Sequence, residues 1–224
     1  MVMLPLARRD SEGQGMVVLR AAAADALAAA QAHKTAEALP DVPSKTKAWL
    51  HQQQAYHFAK DLPAAMLAMD MGTGKSKVVV DIVANRHYKK VLIICPKTVL
   101  RVWPAEFEVH AQPAVAVTVL NPKRSVAKKT EQAKVAPDGV IVINHESAWR
   151  EPFATWALAQ QWDLAVIDES HRGKAPGGKF ALFTARLRDR AAQRFCLTGT
   201  PMPHSPLDAY AQHRFLDPGI FDNI

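Results

Sequence analysis

Cysteine is scarce. Cys95 and Cys196 are the two thiols in 224 residues, and no metal-type spacing relates them. Each ends an apolar run, so both are expected as buried, reduced thiols rather than a disulfide or a ligand pair. Long apolar runs are missing too. No stretch reaches the roughly 20 uninterrupted apolar residues of a bilayer-spanning helix. Arg8, Arg9 and Asp10 break up the start too early for a secretory signal, and Arg20 and Asp25 break the next apolar segment. A cytoplasmic protein without a membrane partner is expected. An excess of acid is also lacking: 28 Lys and Arg stand against 21 Asp and Glu, a formal net charge of +7. That balance suits a polyanionic partner, nucleic acid first, although a basic non-binding surface has the same composition.

The chain has the balance of an ordinary globular domain, with 49% apolar and 22% charged residues. Residues 1–44 read as an arm and linker: Ala21–Ala38 is alanine-rich and helical by propensity, and Pro40 and Pro43 punctuate the stretch after it. From Lys45 to the end, residues 45–224 read as one domain. Strand candidates are Ala64–Met69, Val91–Cys95, Ala114–Leu120, Val140–Asn144, Leu164–Asp168 and Arg194–Thr198. Helix candidates are Lys75–Arg86, Val99–His110, Val126–Val135, Ser147–Gln160 and Lys179–Arg190. Alternation of this kind predicts an α/β domain with a parallel sheet, and strands apolar throughout predict helices on both faces. In such sheets ligands gather beyond the carboxyl ends of the strands. Gly72–Ser76, Pro96–Thr98, Asn144–Glu146, Asp168–His171 and Thr198–Pro201 all fall there.

Asp70-Met71-Gly72-Thr73-Gly74-Lys75-Ser76 follows the first strand and opens a helix. The full phosphate-loop pattern wants a glycine six positions before the lysine, where this chain has Met69, so the match is the shorter Gly-x-Gly-Lys-Ser. Small residues there let backbone N–H groups wrap phosphate oxygens, the lysine supplies an ammonium, and the serine a hydroxyl for Mg²⁺. A helix starting at Lys75 aims free N–H groups at the same anion.

Asp168 and Glu169 end the fifth strand candidate. Neighbours on a strand end point in different directions, so one can serve a metal and the other a water. His171 comes next, either to couple the nucleotide to other residues or as a satisfied structural histidine. Arg172, Lys174 and Lys179, set among Gly173, Pro176, Gly177 and Gly178, form a basic loop suited to a polyanion or simply to solvent. The basic segment Lys123, Arg124, Lys128, Lys129, Lys134 suits a nucleic-acid contact, but its spacing is also that of a solvated helix face, the reading favoured here. Trp49, Trp103, Trp149, Trp156 and Trp162 are scattered, as packing residues are, rather than stepped for base stacking.

Taken in order, these elements resemble the first RecA-like lobe of superfamily 2 helicases and translocases, the Swi/Snf-type ATPases in particular. Asp70–Ser76 resembles that family's motif I. Asp168-Glu169-Ser170-His171-Arg172-Gly173-Lys174 resembles motif II, and Leu197-Thr198-Gly199-Thr200-Pro201-Met202 motif III, down to Phe215–Phe221. Cys95-Pro96-Lys97 with Trp103, Glu106 and Phe107 resembles motif Ia and its helix, and His51-Gln52 with Ala55 the glutamine element. The resemblance implies a three-layer RecA-like, P-loop NTPase fold and an ATP-dependent, DNA-dependent ATPase. It implies that Gln52 contacts adenine, that Met71, Gly72, Thr73, Gly74, Lys75 and Ser76 hold ATP, and that Ser76 and Asp168 serve Mg²⁺. Lys75, Asp168 and Glu169 would be catalytic, with Glu169 on the hydrolytic water. His171, Thr198 and Thr200 would couple hydrolysis to movement, and Pro96, Lys97 and Thr98 would meet the nucleic-acid backbone, duplex DNA foremost.

Enzymes of that kind use two RecA-like lobes, the second bearing a Gln-x-x-Gly-Arg-x-x-Arg type of segment. No such segment occurs in these 224 residues. The expectation is an ATP-binding lobe that turns over slowly unless a second lobe is supplied in cis or in trans. The alternative is a nucleotide-dependent nucleic-acid-binding module, or a remnant, without turnover of its own. The motor reading collapses if Lys75 and Asp168 lie on opposite edges of the fold.

Overall fold

Six strands form one wholly parallel sheet: β1 (Ala64–Ala68), β2 (Lys90–Cys95), β3 (Val117–Val119), β4 (Gly139–Asn144), β5 (Trp162–Asp168) and β6 (Ala191–Thr198). Their order across the sheet is β1-β6-β5-β2-β4-β3. The structure, a computed structural model, describes residues 39–172, 177–200 and 207–217. The Ala21–Ala38 arm, Lys174 and Pro201 lie outside them. The helices are α1 (Leu50–Ala59), α2 (Lys75–Asn85), α3 (Val102–His110), α4 (Val126–Lys134), α5 (His145–Ala148), α6 (Phe153–Leu158), α7 (Lys179–Arg188) and α8 (Leu207–Leu216).

Side chains alternate across the strands, so each apolar run feeds two cores. Val91, Ile93, Val140, Val142, Leu164, Val166, Phe195 and Leu197 face α1, α2 and α3. Leu92, Ile94, Ile141, Ile143, Ala165, Ile167 and Cys196 face α4, α6, α7 and α8. Fully buried residues of this size each contribute roughly 1.5–3 kcal/mol, which holds the strand ends in one row. The three-layer α/β expectation is met. Cys95 and Cys196 are buried free thiols, and burial raises the pKa of both, Cys196 to about 12. Among the described residues no helix is long and apolar enough to cross a membrane.

Three expectations need correction. The strand expected over Ala114–Leu120 is regular only at Val117–Val119, because it lies at the sheet edge and pairs with β4 alone. The helix expected over Ser147–Gln160 is two helices, α5 and α6, broken where Pro152 removes a backbone donor. Lys129 does not belong to a solvated face. Lys123, Arg124, Lys128 and Lys134 are exposed, but Lys129 is 2% exposed and buries its ammonium against Asn144 and Ser147. Two helices, α1 and α8, had no place in the sequence pattern. Gln and His crowd α1, so its apolar stripe shrinks to Tyr56 and Ala59 beside buried Gln52.

Candidate functional site: a nucleotide-binding rim

The carboxyl ends of β1, β6 and β5 stand side by side, with Ala68 paired to Thr198 and Leu197 paired to Asp168. The phosphate-loop segment, the acidic pair and Thr198 therefore meet on one edge. Gly199 sits against the loop: a Cβ there would lie 3.4 Å from the Met71 side chain and 3.6 Å from the Met69 carbonyl.

The loop begins where β1 ends and turns into α2 at Gly74, whose φ of 80° is left-handed. A side chain at this position is strained by that φ, and its Cβ would fall 2.3 Å from Gln52 Nε2, so the Gln52 amide would have to move. Thr73 Oγ1 donates to the Asp70 carbonyl at 2.6 Å, closing the turn. Lys75 is 9% exposed, and its ammonium donates to the Met69 and Asp70 carbonyls at 2.8 and 3.0 Å. Met71 and Gly72 are exposed, while Thr73, Gly74 and Ser76 are half-buried.

Gln52 braces this loop from α1. Its Oε1 accepts from the Trp49 backbone N–H at 3.0 Å, and its Nε2 donates to the Thr73 carbonyl at 3.0 Å. His51 Nε2 donates to the same carbonyl at 2.9 Å. Both side-chain ends of Gln52 are thus engaged by protein. Beside them Trp49 is 62% exposed, so it departs from the packing role expected of the tryptophans, while Trp103 and Trp162 fulfil it.

At the end of β5, Asp168 is buried. Its carboxyl is pushed up to about 6, first by burial and then by the charge of Glu169. The Glu169 N–H, the Trp103 side chain and the Lys75 ammonium act in the other direction. That last influence puts Lys75 and Asp168 within electrostatic reach of each other, on one edge. Glu169 has a left-handed φ of 50°, its N–H donating to Asp168 Oδ1 at 2.9 Å. His171 Nδ1 lies 3.3 Å from Glu169 Oε2 and 3.0 Å from Thr198 Oγ1, and Thr198 Oγ1 accepts from the Thr200 N–H. His171, Thr198 and Glu169 therefore form one connected set.

Pro96, Lys97 and Thr98 follow β2 further along the rim. Pro96 is buried, and Lys97 and Thr98 are exposed in a short 3₁₀ turn. Two residues with no assigned role in the sequence join the halves of the rim. His145, at the start of α5, donates from Nε2 to the Asp168 carbonyl at 2.9 Å. Trp103 reaches Asp168 from α3. Sequence position carried a hint for both: His145 sits at a strand end, and Trp103 lies in the segment that resembles motif Ia and its helix, although neither pattern pointed to Asp168.

A lysine at the head of a helix, glycines folding the loop before it, and a buried carboxylate on a nearby strand end have the arrangement of a phosphate-binding loop beside an acidic strand end. The model of the SNF2-related domain matches residues 31–224, and the chain belongs to that family. It is 30% identical over 161 residues to a probable global transactivator of Orgyia pseudotsugata multicapsid polyhedrosis virus, covering 71% of this chain and 32% of that protein. It is 31% identical over 132 residues to the DNA repair protein RAD5A of Arabidopsis thaliana, covering 56% of this chain and 12% of that one. The chain thus spans a third or less of these relatives' length. Its fold matches the Sulfolobus solfataricus SWI2/SNF2 ATPase core in complex with dsDNA, with a TM-score of 0.69 at 24% identity, over 81% of this chain and 38% of that one.

Proposed function

We propose that this chain is the ATP-binding lobe of an ATP-dependent DNA translocase, in which ATP hydrolysis drives movement along nucleic acid when a second RecA-like lobe completes the site. The observation that carries this reading is the convergence of Lys75 and Asp168, from strands separated by β6, on one rim. Gly72–Ser76 would wrap the phosphates with their N–H groups, and Lys75 would leave its two carbonyl partners for phosphate oxygens. Gln52 would hold the loop's shape and meet the base from its edge. Glu169 would orient the attacking water, with His171 and Thr198 sensing its position and Thr200 responding through its bond to Thr198.

The donor set fits Mg²⁺. Asp168 is one buried carboxylate, Ser76 follows Lys75 at the head of α2, and no cluster of three His, Cys, Asp or Glu exists among the described residues. That is the sparse protein contribution of a cation shared with substrate phosphates. Asp168, raised by burial, is the group such a cation would relieve. Bound there, Mg²⁺ would neutralise charge developing on the phosphates.

Pro96, Lys97 and Thr98 would meet a nucleic-acid backbone, duplex DNA first, and the reading places the chain at DNA rather than at a membrane. The absence of a Gln-x-x-Gly-Arg-x-x-Arg segment favours slow turnover by these residues alone, since an arginine finger is worth roughly a thousandfold or more. The test is binding of a fluorescent ATP analogue to the wild type and to Lys75→Ala. An affinity loss of about 100-fold, some 2.7 kcal/mol, is expected for the variant. Equal affinities overturn the proposal.

A further inference from the structure

Ser170 and Gln212 make a buried contact that the proposed chemistry leaves unused. Ser170 stands next to Glu169 and is 3% exposed, as is Gln212 on α8. Ser170 Oγ lies 2.6 Å from Gln212 Oε1 and 3.3 Å from the Leu197 carbonyl. A hydroxyl carries one proton, so the shorter contact to Gln212 is the stronger of the two. The Gln212 carbonyl in turn lies 3.9 Å from Cys196 Sγ on β6.

The helix that presents Gln212 is fastened at its far end. Arg188 Nη1 donates to the Arg214 carbonyl at 3.2 Å, Arg194 Nε donates to the Leu216 carbonyl at 3.1 Å, and Phe215 is fully buried. Gln212 is thus a fixed post. On the other side of Ser170, Glu169 holds a left-handed φ of 50°, a conformation that persists only where neighbours enforce it. A buried amide on α8 costs desolvation that an apolar residue of the same size would avoid. Its gain is a hydrogen bond one residue from the carboxylate assigned to the attacking water.

We propose that Gln212 is a positioning residue of the nucleotide site: through Ser170 it holds Glu169 in its left-handed conformation, and so acts on hydrolysis rather than on nucleotide binding. The proposal rests on the ATPase reading above. Glu169 is then bracketed from two sides, by Thr198 through His171 and by α8 through Ser170. A shift of α8 and a change at the acidic pair are linked through one hydrogen bond.

The test uses the 224-residue chain with duplex DNA and compares wild type, Gln212→Met, Ser170→Ala, the double variant and Ser170→Thr. Methionine keeps the volume of glutamine without its amide, and threonine keeps the hydroxyl. Single-turnover hydrolysis is expected to fall about 10-fold in each of the first two variants, equivalent to about 1.4 kcal/mol. The double variant should fall no further, Ser170→Thr should stay within twofold of wild type, and affinity for the ATP analogue should stay within twofold throughout. A second readout needs no turnover: amide exchange over residues 168–171 should quicken about 10-fold in Gln212→Met while β2 is unchanged. Unchanged exchange, additive losses, or equal loss of binding and hydrolysis each overturn the proposal. So does faster exchange at an unchanged rate. Lys75→Ala separates the two failures: if it leaves nucleotide binding intact, the ATPase reading falls, and if it abolishes binding while Gln212→Met hydrolyses normally, this inference alone falls.

Discussion

The rim has two halves, and a carboxylate in each shows how differently they are built. Asp168, at the end of β5, is pushed up to about 6 by burial and by Glu169 beside it. Glu146, after β4, feels burial too, but the Asn144 side chain, its own backbone, Lys97 and His145 outweigh it, and its pKa is lowered. The Asn144 Nδ2 donates to Glu146 Oε2 at 2.6 Å, and Lys129 in turn donates to Asn144 Oδ1 at 3.1 Å. One carboxylate is therefore set by burial and a like charge, the other by hydrogen bonds and nearby cations. A magnesium–triphosphate suits the first and a phosphate backbone the second, which is how the two ends of one strand row divide the proposed work.

The largest effect should come from removing the strained charge. Asp168 has a raised folded-state pKa, so the folded chain holds its proton over a window in which the unfolded chain has lost it. The stability this group contributes is accordingly fully present below about pH 4 and is lost as pH rises through about 6. The shift from 3.8 to about 6 corresponds to about 3 kcal/mol at neutral pH. Asp168→Asn should therefore melt higher than wild type at pH 8, with the difference closing by pH 4, while losing Mg²⁺-dependent nucleotide stabilisation and hydrolysis. Melting curves that stay parallel from pH 4 to 8 would break the contrast between the halves.

Much of this was legible in the residues, and the parts that were not share a cause. Apolar runs ending in Gly72–Ser76, Asp168-Glu169 and Thr198 announced strands and a rim, since pattern and turn chemistry are local. Lys129, Trp103, His145 and Gln212 act through partners 15 to 65 positions away, and no local pattern carries that. Spacing made Lys129 look like its solvated neighbours, although it shares the buried face of α4 with Thr130 and Ala133. The helix candidate Ser147–Gln160 passed over Pro152, whose missing backbone donor breaks it into α5 and α6. Lys129→Met tests the middle of the comparison. It leaves Asn144 Oδ1 and Ser147 Oγ without their donor, at about 1–3 kcal/mol of stability. Lys128→Met, one residue away and exposed, should stay within about 0.5 kcal/mol of wild type. Equal melting temperatures for the two would return Lys129 to the solvent.

The smallest effect separates backbone contact from nucleotide contact. Lys97 is exposed, and the charge of Glu146 lies within its influence. If Lys97 meets one phosphate, Lys97→Ala should weaken nucleic-acid binding several-fold regardless of base sequence, with nucleotide affinity unchanged. The slope of log affinity against log salt should become shallower by about 0.9 on duplex and about 0.7 on single strands. The two values distinguish the substrates within one titration series. Glu146→Gln should act in the opposite sense, tightening binding by freeing Lys97 from a competing carboxylate, most visibly at low salt where screening is weakest. A salt slope that Lys97→Ala leaves untouched would move the polyanion contact off this half of the rim, and the division of labour between Asp168 and Glu146 would lose its second term.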